Sequence, residues 1–266
     1  MKAPIIRTKF APARDELEIS YRPWGSPRFG GLPVVAVHGD WMTSSSWTLL
    51  AAELTDQWML APDLRGRGKT RAPDHGYTVP ELAADLLVFL EVMELERVHL
   101  VGHALGAAVV AQLALDHPER ALSLSLIAPP NVEGTAAGLL DPEAAKTYKA
   151  SSREFANALG ALAPKAPRDM LWVGLIEDGH KQRLSAAEAN LAALAAWSPG
   201  AALSALSVPR TVLCGADDPT PGARAAATGA AAALGCDCHV LEGSAHCPQL
   251  EQPEALAERL RQVFGR

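Results

Sequence analysis

The chain has 266 residues, a net charge of −6 and a pI of about 5.8, with 48% hydrophobic and 20% charged residues. That is enough apolar material for one large α/β domain, or a core with a small inserted cap, and it is not a disorder-prone composition. No Lys/Arg cluster breaks the acidic balance, which argues against a nucleic acid or an anionic membrane as the main partner.

The first fifteen residues mix Lys2, Arg7, Lys9 and Arg14 with prolines. They lack the apolar centre of a secretion signal, and no apolar run reaches the roughly 18 residues of a membrane span, so the expected compartment is the cytoplasm. Leu17 to Tyr21 is expected to form a hairpin with the region of Ile5. Short apolar runs follow at residues 34–37, 58–61, 98–101, 122–127, 211–214 and, more weakly, 239–241. They alternate with helical patterns, the signature of a mostly parallel sheet flanked by helices. Thr78-Val79-Pro80-Glu81 has the spacing of a capping box with proline in the first turn. Leu82, Leu86 and Leu90 then repeat at four-residue intervals, as do Leu105, Val109 and Leu113 in the next helix. Residues 131–207 behave differently. They contain helical patches and no convincing strand, and Pro164, Pro167 and Pro199 divide them. We read them as a helical cap inserted between core segments 1–130 and 208–266, placed over the carboxyl ends of the strands where ligands bind. An alanine-rich surface helix is expected near residues 223–234, and a C-terminal helix opened by Pro253 carries Leu256, Leu260 and Phe264. The four cysteines, Cys214, Cys236, Cys238 and Cys247, are too few for a disulfide framework, and Cys236-Asp237-Cys238 does not have the spacing of a zinc pair. They are read as ordinary thiols, and no metal or organic cofactor is expected.

The chemistry-bearing segments follow the strands. Gly102-His103-Ala104-Leu105-Gly106 joins a strand to a helix with the glycine spacing of a nucleophile elbow, but its centre is Ala104. His38-Gly39-Asp40-Trp41 follows an earlier strand, where a His-Gly turn can aim a backbone N–H at the elbow. Asp63 to Thr70 forms a tight glycine turn. A phosphate cradle is the rival there, but Gly66-Arg67-Gly68-Lys69-Thr70 lacks the required spacing. Gly215-Ala216-Asp217-Asp218-Pro219 ends a late strand in acid, and Gly243-Ser244-Ala245-His246 follows the last strand.

Taken in order, these five motifs resemble the α/β-hydrolase superfamily over nearly the whole chain. The stretch from His246 to Glu254 is similar to its ester- and lactone-cleaving branch, which includes the enol-lactonases. The resemblance implies an α/β-hydrolase fold with a helical cap. It also implies a triad of a nucleophile at the position of Ala104, an acid at Asp218 (Asp217 in reserve) and a base at His246, with an oxyanion hole from the N–H groups of Asp40 and Leu105. His38 is expected to be structural. Trp41, His103, Trp172 and Trp197, with Met170, are candidate linings for the substrate, and His180 is a weaker candidate in the cap. The expected partner is a small hydrophobic ester or lactone.

Alanine cannot attack or hold an acyl group. Either Ala104 replaces an original serine, giving an inactive form, or the sequence works naturally without a nucleophile. The retention of Asp218, His246 and both elbow glycines favours the first. An original aspartate is a further possibility, but the Trp frequent beside the nucleophile in dehalogenases and epoxide hydrolases is here Leu105. Without a nucleophile, His246 and Asp218 could serve a cyclisation, elimination or rearrangement, or the scaffold could bind a ligand without reacting.

Overall fold

The computed structural model of the protein describes residues 8–12, 16–27, 32–134 and 142–265. Eight strands form one sheet: β1 (Lys9–Pro12), β2 (Glu18–Trp24), β3 (Pro33–Val37), β4 (Trp58–Pro62), β5 (Val98–His103), β6 (Ala121–Ile127), β7 (Arg210–Gly215) and β8 (Cys238–Leu241). Their spatial order is β1-β2-β4-β3-β5-β6-β7-β8. The pairs β1–β2 and β2–β4 are antiparallel and the others parallel. All six strands expected from apolar runs are present. The N-terminal hairpin is made by β1, from Lys9 onward, pairing with β2; Ile5 lies outside the described residues.

The central strands read as continuous apolar runs because both faces of the sheet are covered. In β3, Val34 and Ala36 pack with Trp47, Leu50, Leu54, Leu256 and Leu260. Val35 and Val37 face the opposite layer, with Leu82, Leu86, Leu105 and Val109. That second layer holds α2 (Val79–Val92) and α3 (Leu105–Asp116), whose four-residue leucine stripes are buried as the periodicity requires. The start of α2 is the expected capping box: the Thr78 N–H donates to the Glu81 carboxylate at 3.0 Å, and the Thr78 hydroxyl accepts from the Glu81 N–H. The first layer holds α1 (Thr48–Glu53), six residues too short to show a helical period in the sequence.

Among the described residues, the chain between β6 and β7 carries helices and no strand. These are α4 (Pro142–Ala150), α5 (Ser152–Leu162), α6 (Met170–His180) and α7 (Leu184–Ala196), followed by a 3-10 turn at Gly200–Ala205. Ser151 and Asp169 cap α5 and α6 by accepting backbone N–H groups of their first turns, and the prolines fall between elements. Phe155, Leu159, Trp172 and Leu175 of this segment share an apolar cluster with Met42, Cys247 and Leu250. The segment therefore sits on the turn after β3 and the loop after β8. The chain closes with α8 (Ala223–Leu234), α9 (Pro248–Glu251) and α10 (Pro253–Phe264).

One feature of the topology places the site. β3 pairs with β4 on one side and with β5 on the other, so the winding direction of the sheet reverses between β3 and β5. A crevice opens at the carboxyl ends of strands at such a reversal, and these two strands lead into His38-Gly39-Asp40 and into Ala104. No helix among the described residues is long and apolar enough to cross a membrane.

Candidate active site

Ala104 links β5 to α3 with φ +49° and ψ −115°. Holding a residue with a side chain in such a region costs of order 1–3 kcal/mol and persists only where the surroundings over-determine it. The surroundings here are two glycines. A Cβ on Gly106 would overlap the carbonyl oxygen of Val37, and one on Gly102 would overlap the carbonyl oxygen of Gly106. The sharp turn can thus close only with glycine at both places. The turn after β3 lies against it: a Cβ built on Gly39 would stand 3.2 Å from the Ala104 Cβ. Leu105 is the first residue of α3, so its N–H is one of the donors a helix leaves free at its start.

The acid and the histidine meet. His246 Nδ1 lies 2.8 Å from Asp218 Oδ2, with side-chain exposures of 15% and 3%. The Thr220 N–H donates to Asp218 Oδ1 at 2.9 Å. Burial pushes the Asp218 carboxyl up, but the hydrogen bond and charge of His246 and the bonds from Thr220 outweigh it and hold it below the usual carboxylate range. An ionised Asp218 can only accept, so Nδ1 carries the proton and Nε2 is left with its lone pair, the tautomer a general base needs. Asp217, the reserve acid, is instead an exposed partner of Lys165 at 3.1 Å. The loop bearing His246 is fixed on several sides. Its N–H donates to the Leu162 carbonyl of α5 at 3.0 Å. Its carbonyl accepts from His103 Nε2 at 2.9 Å, and the Glu251 carboxylate accepts the Ala245 N–H at 2.7 Å.

His38 is structural, as expected: Nδ1 donates to the Gly39 carbonyl at 2.8 Å and Nε2 accepts the Leu64 N–H at 3.1 Å. Gly66-Arg67-Gly68 turns Arg67 inward and no helix starts between this loop and Val79, so the loop has no helix N-terminus to cradle a phosphate. The tryptophans separate. Trp41 packs on the helical segment, its ring 5.5 Å from those of Tyr148 and Phe155. Trp172 is buried beneath Arg168, whose guanidinium stands 3.6 Å from the ring centre. Trp197 donates from Nε1 to Gln112 at 3.0 Å and lines a groove of about 950 Å³ with Tyr77, Ala189 and Ala193. Gln112 is roughly 10 Å along α3 from Leu105 at 1.5 Å per residue, so the structure does not bring Trp197 to the elbow. Met170 is 81% exposed on the outer surface of α6. His180 ties α6 to α4 through the Tyr148 carbonyl at 3.0 Å.

Asp40, expected to offer only its backbone N–H, also has a side-chain role whose partners its sequence neighbours do not reveal. The Asp40 carboxylate pairs with the fully buried Arg67 and also accepts from Gln182 and Asn190. An acid directly after the His-Gly turn was the available signal, since a charge in a crevice calls for a partner.

Burial holds His38 and His103 down to about 3 and His99 to about 4. Unfolded histidines titrate near 6.5. The unfolded chain therefore binds more protons below that pH, and stability is lost as pH falls from about 6.5 towards 4. Each such histidine contributes about 1.4 kcal/mol per pH unit inside this window. Denaturant midpoints at pH 7.5 and pH 4.5 should therefore differ steeply; midpoints that coincide would show that these side chains do not stay neutral in the fold.

A strained strand–helix turn at the switch point, with an acid and a histidine arriving after the last two strands, defines an α/β-hydrolase-type scaffold. The chain belongs to the alpha/beta hydrolase family, whose sequence model matches residues 34–259. It is 32% identical over 116 residues to the dihydrolipoyllysine-residue acetyltransferase component of the acetoin cleaving system of Cupriavidus necator, which covers 43% of this chain and 30% of that relative. The matched part is thus under a third of the relative's length. A hydrolase from Pseudomonas aeruginosa PA01 superposes with a TM-score of 0.83 at 22% identity, over 98% of this chain and 99% of the other. The enol-lactonase from Burkholderia xenovorans LB400 gives 0.81 at 19% identity, over 97% and 100%. At such identities the likeness is one of fold.

Proposed function

We propose that this is the scaffold of a serine hydrolase for a small hydrophobic ester or lactone, with Ala104 standing where the nucleophile works, so that the chain binds such a substrate and leaves it intact. The observation that carries the reading is the His246–Asp218 contact at 2.8 Å beside an elbow whose residue 104 keeps φ +49°. A scaffold with no use for an outward-pointing residue 104 has no reason to hold this strained backbone. In the serine form, the hydroxyl attacks the carbonyl carbon and His246 Nε2 takes its proton. Asp218 stabilises the imidazolium, and the Asp40 and Leu105 N–H groups receive the oxyanion. The same proton then goes to the leaving alkoxide, and water repeats the cycle to release the acid. The helical segment between β6 and β7 acts as the cap, with Trp41 the proposed lining on the turn that lies against the elbow; His103 is buried and bonded to the His246 carbonyl. The enol-lactonase and the hydrolase share this fold, and the ester or lactone class is this reading's own step beyond it.

The test compares the chain with its Ala104→Ser variant on a panel of aryl esters and lactones: turnover by the serine form alone is expected, and inertness of both forms contradicts the reading. A second reading rests on Ala104 itself. A histidine held as a base with no nucleophile to serve can abstract a proton from a bound metabolite, for an elimination or rearrangement. Loss of substrate with the unaltered chain, abolished by His246→Gln, would favour it.

A further inference from the structure

Asp40 carries a negative charge on the very residue whose N–H would receive a developing oxyanion. Like charges held on one residue repel, the more so where the surroundings keep water from screening them. The fold answers with Arg67. Its side chain is 0% exposed and its Nη2 donates to Asp40 Oδ1, while Nη1 donates to the Arg65 carbonyl at 3.2 Å. The same Asp40 oxygen accepts from Gln182 Nε2 at 3.0 Å and from Asn190 Nδ2 at 3.3 Å. Both of these side chains are buried and both come from the helical segment. Gln182 closes the ring by accepting the Trp41 N–H at 2.9 Å, and the Arg183 N–H donates to the Gly66 carbonyl at 3.1 Å. One turn away, Asp178 accepts the hydroxyls of Thr43 and Ser45, each at 3.0 Å. The helical segment is therefore seated on the oxyanion turn through the shared Asp40 carboxylate, with Asp178 holding the residues just after that turn.

We propose that Asp40 and Arg67 are positioning residues: the pair neutralises the charge at the oxyanion turn, fixes that turn, and makes the seating of α6 and α7 part of the same contact. Its catalytic half rests on the hydrolase reading above; its seating half does not.

The experiment compares the unaltered chain, Arg67→Met, Asp40→Leu and the double variant. Asp40→Leu leaves the fully buried Arg67 unanswered and Arg67→Met leaves the part-buried Asp40 without its cation, so each single change should lower the melting temperature sharply, while the double replaces the pair by apolar groups and should recover most of that loss. In the double variant, amide hydrogen exchange across residues 178–190 should be about tenfold faster or more, because Gln182 and Asn190 lose their acceptor. With Ala104→Ser added, its kcat should fall about tenfold or more with KM within about twofold, the pattern of an interaction made in the transition state. A double variant that keeps both its exchange protection and its kcat overturns the proposal. Where the serine form turns over no ester, exchange alone decides: faster exchange upholds the seating role, and unchanged exchange refutes it. Should the double variant not fold, Gln182→Met, which removes a bond to Asp40 from the helical side and keeps the Asp40–Arg67 pair, gives the same exchange comparison with the same two outcomes.

Discussion

Ala104→Ser is expected to raise the hydrolysis of a suitable aryl ester or lactone by about ten-thousand-fold or more. The magnitude follows from the reverse change: removing the nucleophile of a serine hydrolase costs about a million-fold, and what survives comes from the oxyanion hole and binding. The gain requires little rebuilding. Residue 104 already holds φ +49° and ψ −115° at the head of α3, so a hydroxyl on the same Cβ starts from the elbow pose. His246 is already turned, with Nδ1 on Asp218 and Nε2 free to take a proton. The gain should therefore depend on the pair. Asp218→Asn added to the serine form should remove about ten-thousand-fold, because an amide no longer enforces the tautomer. Asp217→Asn should change little, since Asp217 pairs with Lys165 and not with His246. A folded serine form without activity on any ester, or one indifferent to Asp218→Asn, would break the account.

Gly106→Ala is expected to destabilise the chain by about 3 kcal/mol, an overpacking cost without a side chain free to yield. The added methyl meets the backbone of Val37, the last residue of β3, and of His38 just after it, and β3 is pinned between β4 and β5. Relief must come from moving α3 away from the sheet, which also moves the elbow. Gly229→Ala supplies the contrast. It lies within α8 with nothing inside 4 Å of the new Cβ, so helix propensity alone should act, stabilising by about 0.5–1 kcal/mol. At roughly 2–4 °C per kcal/mol for a chain of this size, the two variants should shift the melting temperature in opposite directions. Equal shifts would mean that the close approach of α3 to β3 is not what glycine serves there.

How much of this could be read from the sequence depended on the range of the contact. The central strands were legible because both faces are buried and the apolar runs are unbroken. The helix α1 and the 3-10 turn before it were not. Thr43-Ser44-Ser45-Ser46 reads as a loop, yet Ser44, Ser45, Ser46 and Trp47 are all buried. The hydroxyls of Thr43 and Ser45 meet each other and Asp178, 135 and 133 residues away, and that of Ser46 donates to the Thr43 carbonyl. The acid–histidine pair was legible because each member follows a strand end, and strand ends converge. The ring around Asp40 was not, because its partners lie 27, 142 and 150 residues distant, on helices whose facing no local pattern fixes. The same gap explains Trp197. Aromatic character suggested a pocket lining, whereas the side chain belongs to a groove beside α3, away from the elbow.

The most direct measurement is intact-mass analysis of the Ala104→Ser variant after exposure to a serine-directed fluorophosphonate, with the unaltered chain and an Ala104→Ser/His246→Gln form alongside. The account predicts a single adduct on the introduced serine, its formation slowed by the loss of His246, and none on the unaltered chain. No adduct on a folded serine form, or labelling at equal rate without His246, would contradict the claim that residue 104 stands at a nucleophile's position beside a working base.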